Sequence, residues 1–454
     1  MATQQYRLTC LSPVHIGTGQ EWTRFDGAYE NKMWYVVDLD AVFARGVGGD
    51  ELAQAMSAAD FTWAEWLSGR KMRAQDVALY GLPCPIAPKD VAIREGIKDP
   101  YLKPYIPGTT LKGAIRTAII WHLLKDDQQA RTFAADYLLL VGGARDILEE
   151  VQRLAKGNRE IEFNPSTHLK AIRQALDLDD ADAQELLSVV YRTLGKDLQE
   201  AKQGNRREQI GVRELRNLDK DARFLALPVE RYLLGKDPNH DLMRTLHVLD
   251  TQPVSLEQME VELVWTYTIR QNRLVEKRED DGEYKNLAEC IKPDTHLQVR
   301  IDRDDYLLRR AANQLHFAST GVDAILKLPE ICNRYAQSLI EHEMQFYTRY
   351  QLNPMLQFYD SLKQRLVSLP AGAFLLNIGW GGGWEAKTVG DILREEMDDE
   401  EFRDLRRKYQ LGKNPKSRQI DWNSPFPKTR LVAYQNGGLR SALGWVLLEP
   451  ANAP

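Results

Sequence analysis

Ten consecutive residues, Glu260 to Ile269, alternate in character. Val261, Leu263, Trp265, Tyr267 and Ile269 fall on one side, and Glu260, Glu262, Val264, Thr266 and Thr268 on the other. That is the two-residue period of a β-strand. A strand this long demands a sheet, because an isolated strand or hairpin is marginal in water. Tyr6, Leu8 and Cys10, set against Arg7 and Thr9, predict another strand near the start, and Lys32 to Leu39 a third. Ala373–Ile378, Thr429–Tyr434 and Gly444–Leu448 read as further strands.

Helical periods lie between them. Leu111, Ala114, Ile115, Ala118, Ile119, His122 and Leu123 share one face of a helix predicted over 110–125, with Thr109 or Thr110 as its N-cap. Further helices are expected over 51–67, over much of 126–198, and over 304–317 and 329–350. Such interspersion predicts an α+β chain. Strand–loop–strand–helix near the start and strand–helix–strand in the second half fit two ferredoxin-like domains, each a split βαβ unit. The 454 residues are 43% hydrophobic, enough to fill two or three cores. The division expected is an N-terminal domain over 1–252, with a helical insertion at 126–221, and a C-terminal domain over 253–454 that carries a glycine-rich loop.

Charge narrows the function. The net charge is −5, which argues against a protein that coats nucleic acid with its whole surface. It leaves room for one basic groove, since binding follows local phosphate neutralisation. Between Arg403 and Arg430 there are nine Lys or Arg against two Asp. The acidic run Asp398–Glu401 precedes them and reads as solvated helix surface. The polar segment 199–221 holds Arg206, Arg207, Arg213 and Arg216, which read first as a solvated loop and second as RNA contacts. No apolar run is long enough to span a membrane, and the first ten residues do not read as a signal peptide. Cys10, Cys84, Cys290 and Cys332 lack metal-ligand spacing and read as reduced core thiols of a cytoplasmic protein. No zinc site or cofactor is expected.

Three stretches could carry chemistry. In Tyr105-Ile106-Pro107-Gly108-Thr109-Thr110-Leu111-Lys112-Gly113-Ala114-Ile115-Arg116 a Pro-Gly turn runs straight into a helix. Lys112 and Arg116 lie one turn apart, and Gly113 between them admits close approach. Loop amides, a helix N-terminus and two cations suit a phosphate; an ordinary capped helix with solvent-facing cations fits as well. Gly379-Trp380-Gly381-Gly382-Gly383-Trp384, followed by Lys387, suits either an RNA-contacting loop with stacking indoles or a wide turn. His15, in the loop His15-Ile16-Gly17-Thr18-Gly19, could be the general base of a metal-independent ribonuclease or a structural loop histidine. Asp26 could be a lone catalytic carboxylate or a turn residue. His122, on the apolar helix face, reads as a satisfied core histidine.

Ile106-Pro107-Gly108-Thr109-Thr110-Leu111-Lys112-Gly113 with Arg116 resembles the signature of the RAMP superfamily of CRISPR systems. Ser12-Pro13-Val14-His15-Ile16-Gly17-Thr18-Gly19 is similar to that family's early loop. Asp241-Leu242-Met243-Arg244-Thr245, the glycine loop with Lys387-Thr388-Val389-Gly390, and Pro427-Lys428-Thr429-Arg430 with Gly444-Trp445 resemble the capping subunits of type III-A (Csm) effector complexes. These landmarks span nearly the whole chain.

The resemblance implies RRM-like, ferredoxin-like RAMP domains and a cytoplasmic antiviral ribonucleoprotein. The implied subunit is non-catalytic. It binds the 3′ part of the guide crRNA, caps the backbone and supports guide maturation, with host nucleases recruited rather than cutting in place. Implied partners are the other Csm subunits, especially the backbone and small ones, and target RNA; no membrane is involved. Pro107, Gly108, Thr109, Thr110, Lys112, Gly113 and Arg116 would hold guide phosphates. His15, Gly17 and Gly19 would line the same groove, with Arg244, Gly379, Trp380, Gly381, Gly382, Gly383, Lys387, Lys428 and Arg430 as further contacts. Two alternatives are a guide-processing endoribonuclease using His15 and a backbone subunit that cuts target RNA through Asp26. The pattern around Asp26 departs from that of the cutting subunits.

Overall fold

The computed structural model describes residues 2–88, 91–132, 134–135, 138–139, 160–163, 208–211, 227–235, 238–279, 282–283, 285–414, 417–435 and 437–451. Most of the expected insertion at 126–221, including the four arginines of 199–221, lies outside these residues. The chain forms two compact units. The first comprises Met1–His122, Leu242–Val389 and Pro427–Pro454; the second comprises Leu123–Asp241 and Gly390–Phe426.

The fold is α+β. In the first unit, β1 (Ala2–Cys10), β2 (Gly17–Trp22), β3 (Gly27–Glu30), β4 (Met33–Val37), β5 (Ala78–Pro83) and β6 (Ile93–Gly96) come before helix α1 (Gly108–Asp126), which starts inside this unit. After it come β7 (Leu246–Val248), β8 (Met259–Arg270), β9 (Lys285–Ile291) and β10 (His296–Arg303). Helices α2 (Leu328–Arg349) and α3 (Asn353–Val367) follow, then β11 (Phe374–Asn377), β12 (Thr429–Gln435), β13 (Gly438–Ser441) and β14 (Trp445–Pro450).

The first sheet runs β11-β14-β1-β10-β7, with every pair antiparallel. Among β1, β7, β10 and β14, taken as first to fourth, the spatial order is 4-1-3-2. α1 follows the first strand, and α2 and α3 follow the third. That is the ferredoxin-like arrangement, drawn from segments as far apart as residues 2 and 450. Leu8 and Cys10 are fully buried, as the alternation of β1 requires. Asn333 of α2 donates to the Ala373 carbonyl at 2.8 Å and accepts from the Leu375 amide at 3.0 Å, which pins the helix to β11.

The second sheet runs β13-β12-β8-β9-β6-β2, and its β9–β6 pair is parallel. The strand read from Glu260 to Ile269 is its long member β8, buried on both faces over nearly all its length. Thr266 and Thr268, on the side expected to be polar, are buried too. A small sheet, β3-β4-β5, carries three short helices over a core of Val42, Leu52, Phe61, Trp63 and Leu67.

Several boundaries differ from expectation. The helix expected over 51–67 is two helices, Gly49–Met56 and Trp63–Gly69, because the Thr62 side chain caps a new start at the Glu65 amide. The strand expected over Lys32–Leu39 stops at Val37, where Asp38 caps a one-turn helix. The helix expected over 304–317 is confined to Asp305–Arg309. All four cysteines are buried free thiols. No described helix is long and apolar enough to cross a membrane.

Candidate nucleic-acid interface

β1 ends at Cys10, and Pro13, which has no N–H to donate, begins the loop to β2. Three loops meet there through backbone hydrogen bonds. The Pro13 carbonyl accepts from the Gly444 amide at 2.9 Å, the Gly444 carbonyl from the Ile378 amide at 2.7 Å, and the His15 carbonyl from the Trp380 amide at 2.9 Å. Gly379 has φ +68°, and a Cβ on it would stand 2.3 Å from the His15 carbonyl oxygen. Glycine takes that conformation without strain, and only glycine permits that approach. The early loop and the glycine-rich loop, some 360 residues apart in sequence, are thus one structure.

His15 is only 3% exposed. Its Nδ1 lies 2.8 Å from the Glu289 carbonyl, an acceptor, so Nδ1 carries the proton. Burial holds its pKa below the usual histidine value; the bond to Glu289 opposes that shift, and the nearby Arg94 and Lys98 reinforce it. The imidazole is therefore neutral at physiological pH. Its ring meets Trp380 edge-on at 5.7 Å. The Arg94 guanidinium lies over the Trp380 ring at 5.2 Å. Gly17, on the exposed strand β2, lies against the His15 ring, where an added Cβ would stand 2.9 Å from Nε2, and Arg94 pairs with Glu21 of the same strand; Gly19 is exposed with nothing within 4 Å of an added Cβ.

Beneath the loop sits a carboxylate that the sequence reading did not single out. Glu289 is fully buried. It accepts from Trp22 Nε1 at 3.2 Å, Tyr80 Oη at 2.9 Å, the Gly96 amide at 3.0 Å and Lys98 Nζ at 2.6 Å. Four donors satisfy its lone pairs, which is what a buried carboxylate requires. Its signal was available: one acid inside the apolar run of β9.

The Pro-Gly turn folds as expected, but its helix begins at Gly108, ahead of the predicted threonine caps. The Gly108 amide donates to Asp250 Oδ1 at 2.7 Å, and the Ile106 amide to Thr251 Oγ1 at 2.9 Å. A Cβ on Gly108 would stand 2.1 Å from the Val248 carbonyl oxygen. The Gly108 amide, one of the loop amides expected to hold a phosphate, is instead taken by a carboxylate of the protein itself. Asp250 lies 142 residues along the chain, so the residues around the turn do not reveal it. Leu111, Ile115, Ala118 and Ile119 form the fully buried face of α1. Thr109 and Gly113 are exposed, and Pro107, Thr110, Lys112 and Arg116 are half-buried. The cations thus occupy the outer side of the helix, with Gly113 open between them. His122 is half-buried rather than in the core, and its Nδ1 lies 2.9 Å from Arg334 Nη1.

The remaining candidates separate. Arg244 is exposed on a one-turn helix that leads into β7, the strand against which Gly108 packs. Gly381 and Gly382 are half-buried, and Gly383 and Lys387 exposed. Lys428 is half-buried, and its carbonyl accepts from the Ile269 amide. Arg430 turns inward: its Nε lies 2.9 and 2.8 Å from the two Glu343 oxygens, and its guanidinium stacks on Phe346 at 4.0 Å. Asp26 accepts from the Thr23 amide and hydroxyl, both at 2.7 Å, which is the geometry of a side-chain-capped turn.

A model of the RAMP superfamily matches residues 7–385. The CRISPR system Cms protein Csm5 of Streptococcus thermophilus is 28% identical over 136 residues, which span 26% of this chain and 38% of that protein. A chain in the cryo-EM structure of a Csm–crRNA–target RNA ternary complex of a type III-A CRISPR-Cas system superposes with TM-score 0.64 at 22% identity, covering 99% of this chain and all of that one. The crystal structure of T. onnurineus Csm5 superposes with TM-score 0.56 at 20% identity over 97% and 99% of the two chains.

Proposed function

The chain belongs to the RAMP superfamily, and we propose that it is a non-catalytic subunit of a type III-A (Csm) effector complex in the cytoplasm. It binds the 3′ part of the guide crRNA and caps the backbone. The union of the His15 loop with the Gly379–Trp380 loop carries this reading, because it sets an indole under Arg94, whose strand pairs with the exposed, glycine-bearing strand β2. Glycine backbone, an aromatic ring and a cation suit a single RNA strand. The outer side of α1, with Lys112, Gly113 and Arg116, adds positive charge for phosphates.

Holding rather than cutting fits the two acid–base candidates. His15 is buried and neutral with Nδ1 committed to Glu289, and the Asp26 carboxylate closes its own turn. The partners are the guide, the backbone and small Csm subunits, and target RNA along the guide; host nucleases recruited by this subunit trim the guide's 3′ end.

The test is to purify the complex through this chain and sequence the 3′ ends of its RNA. The double variant Lys112→Ala, Arg116→Ala should yield less guide RNA and ragged 3′ ends; unchanged guide content and assembly would sink the reading. Guide-repeat RNA incubated with the protein in EDTA should stay intact, and His15-dependent cleavage would favour a ribonuclease.

A further inference from the structure

The basic residues from Arg403 to Arg418 have no part in the site above. It lies in the second unit, where helix α4 (Asp399–Lys408) opens with a capping box: the Asp398 side chain accepts from the Glu400 and Glu401 amides, and Glu401 reaches back to the Asp398 amide. Asp398 and Glu401 of the preceding acidic run thus cap their own helix. Asp404 is answered by Arg407 and Lys408. Arg403 and Arg407 stand exposed on this helix.

Arg406 behaves differently. It is buried, and its guanidinium lies between two rings, 5.1 Å from Trp422 and 5.0 Å from Phe426. Trp422 remains 43% exposed. Close to it in sequence, Lys413 and Ile420 form an isolated bridge and Arg418 is exposed. An indole backed by a buried cation is rigid, so little conformational entropy remains to be lost when something stacks on its open surface.

We propose that this is a second RNA-contact surface, on which Trp422 stacks a base of a single strand while Arg403, Arg407 and Arg418 meet its phosphates. A ring backed by a buried cation, with exposed cations on the same helix and on the segment just before the ring, is the composition that single-strand recognition uses, and the stack tolerates any base. An acidic protein segment would need the cations but not the open ring. This inference rests on the reading that the chain binds RNA in its complex, and the test separates the two.

The full-length chain is titrated with a fluorescently labelled single-stranded RNA across a range of salt concentrations. Trp422→Ala should weaken binding about tenfold, and Trp422→Phe much less. Arg403→Glu with Arg418→Glu should lower the slope of log affinity against log salt by about 1.4, or about 0.7 per phosphate contact. Photo-crosslinks should map to the peptide that contains Trp422. Unchanged affinity and slope in these variants, with binding lost in Lys112→Ala, Arg116→Ala, overturn this surface alone. A wild-type chain that binds no RNA overturns the broader reading with it. If charge reversal strips a protein subunit from the complex and leaves RNA affinity intact, the surface docks a protein and the proposal fails.

Discussion

Lys98 Nζ lies 2.6 Å from Glu289 Oε2, with side-chain exposures of 4% and 0%. Breaking such a pair by removing one partner leaves a charge stranded in a dry site, at a cost of about 3–5 kcal/mol. Glu289→Ala should therefore lower the unfolding midpoint sharply in chemical denaturation. Lys98→Met with Glu289→Leu should recover part of that loss, since neither charge is then orphaned. A single Glu289→Ala variant as stable as the parent would show that the network is not what holds β2, β5 and β6 beneath the His15 loop.

Lys112 and Arg116 lie one helical turn apart on the outer side of α1. If each meets one phosphate of a single strand, the double alanine variant should reduce the salt slope of RNA binding by about 1.4. Affinity should fall most at low salt. Circular dichroism should show no loss of helix, because the buried face of α1 is untouched.

Two glycines of one segment should respond in opposite ways. Gly108→Ala forces a Cβ into backbone atoms of Val248 and Leu249 and should destabilise the fold. Gly113→Ala meets nothing within 4 Å inside a helix and should stabilise it by about 0.5–1 kcal/mol. If RNA passes close to Gly113, the same substitution weakens RNA binding while the melting temperature rises. A gain in stability with unaltered affinity would remove Gly113 from the interface.

Glu262 gives a pH signature. Burial pushes its carboxyl up to about 8, Arg440 at 3.2 Å pulls it down, and Glu260 pushes it up. The folded state thus holds a proton that the unfolded chain releases near the ordinary glutamate value. Stability contributed by that proton is full below this value and is lost as pH rises towards 8, at up to about 1.4 kcal/mol per pH unit. Glu262→Gln should flatten this part of the profile. Measuring the difference between variant and parent isolates Glu262 from His15, whose lowered pKa acts in the opposite sense.

The strand at 260–269, the helix after Pro107-Gly108 and the burial of four thiols were legible because each follows from local periodicity and composition. So were the two glycine-bearing loops, since glycines mark places where backbone comes close. Periodicity says which side chains of one element share a face, but not which other element covers that face. It could not show that β1 lies between β10 and β14, or that the loops at His15 and Gly379 are hydrogen-bonded to each other. The family resemblance implied Arg430 as an RNA contact, whereas the tertiary structure commits its guanidinium to Glu343, 87 residues away. The Pro-Gly turn read locally suggested loop amides open to a phosphate, where folding brings Asp250 across 142 residues to accept from the Gly108 amide. The sequence by itself determined the elements and the chemical groups they carry. Which of those groups answer one another and which are left at the surface was decided by long-range pairing, because a buried charge or amide takes its partner from whatever the fold brings within about 3 Å.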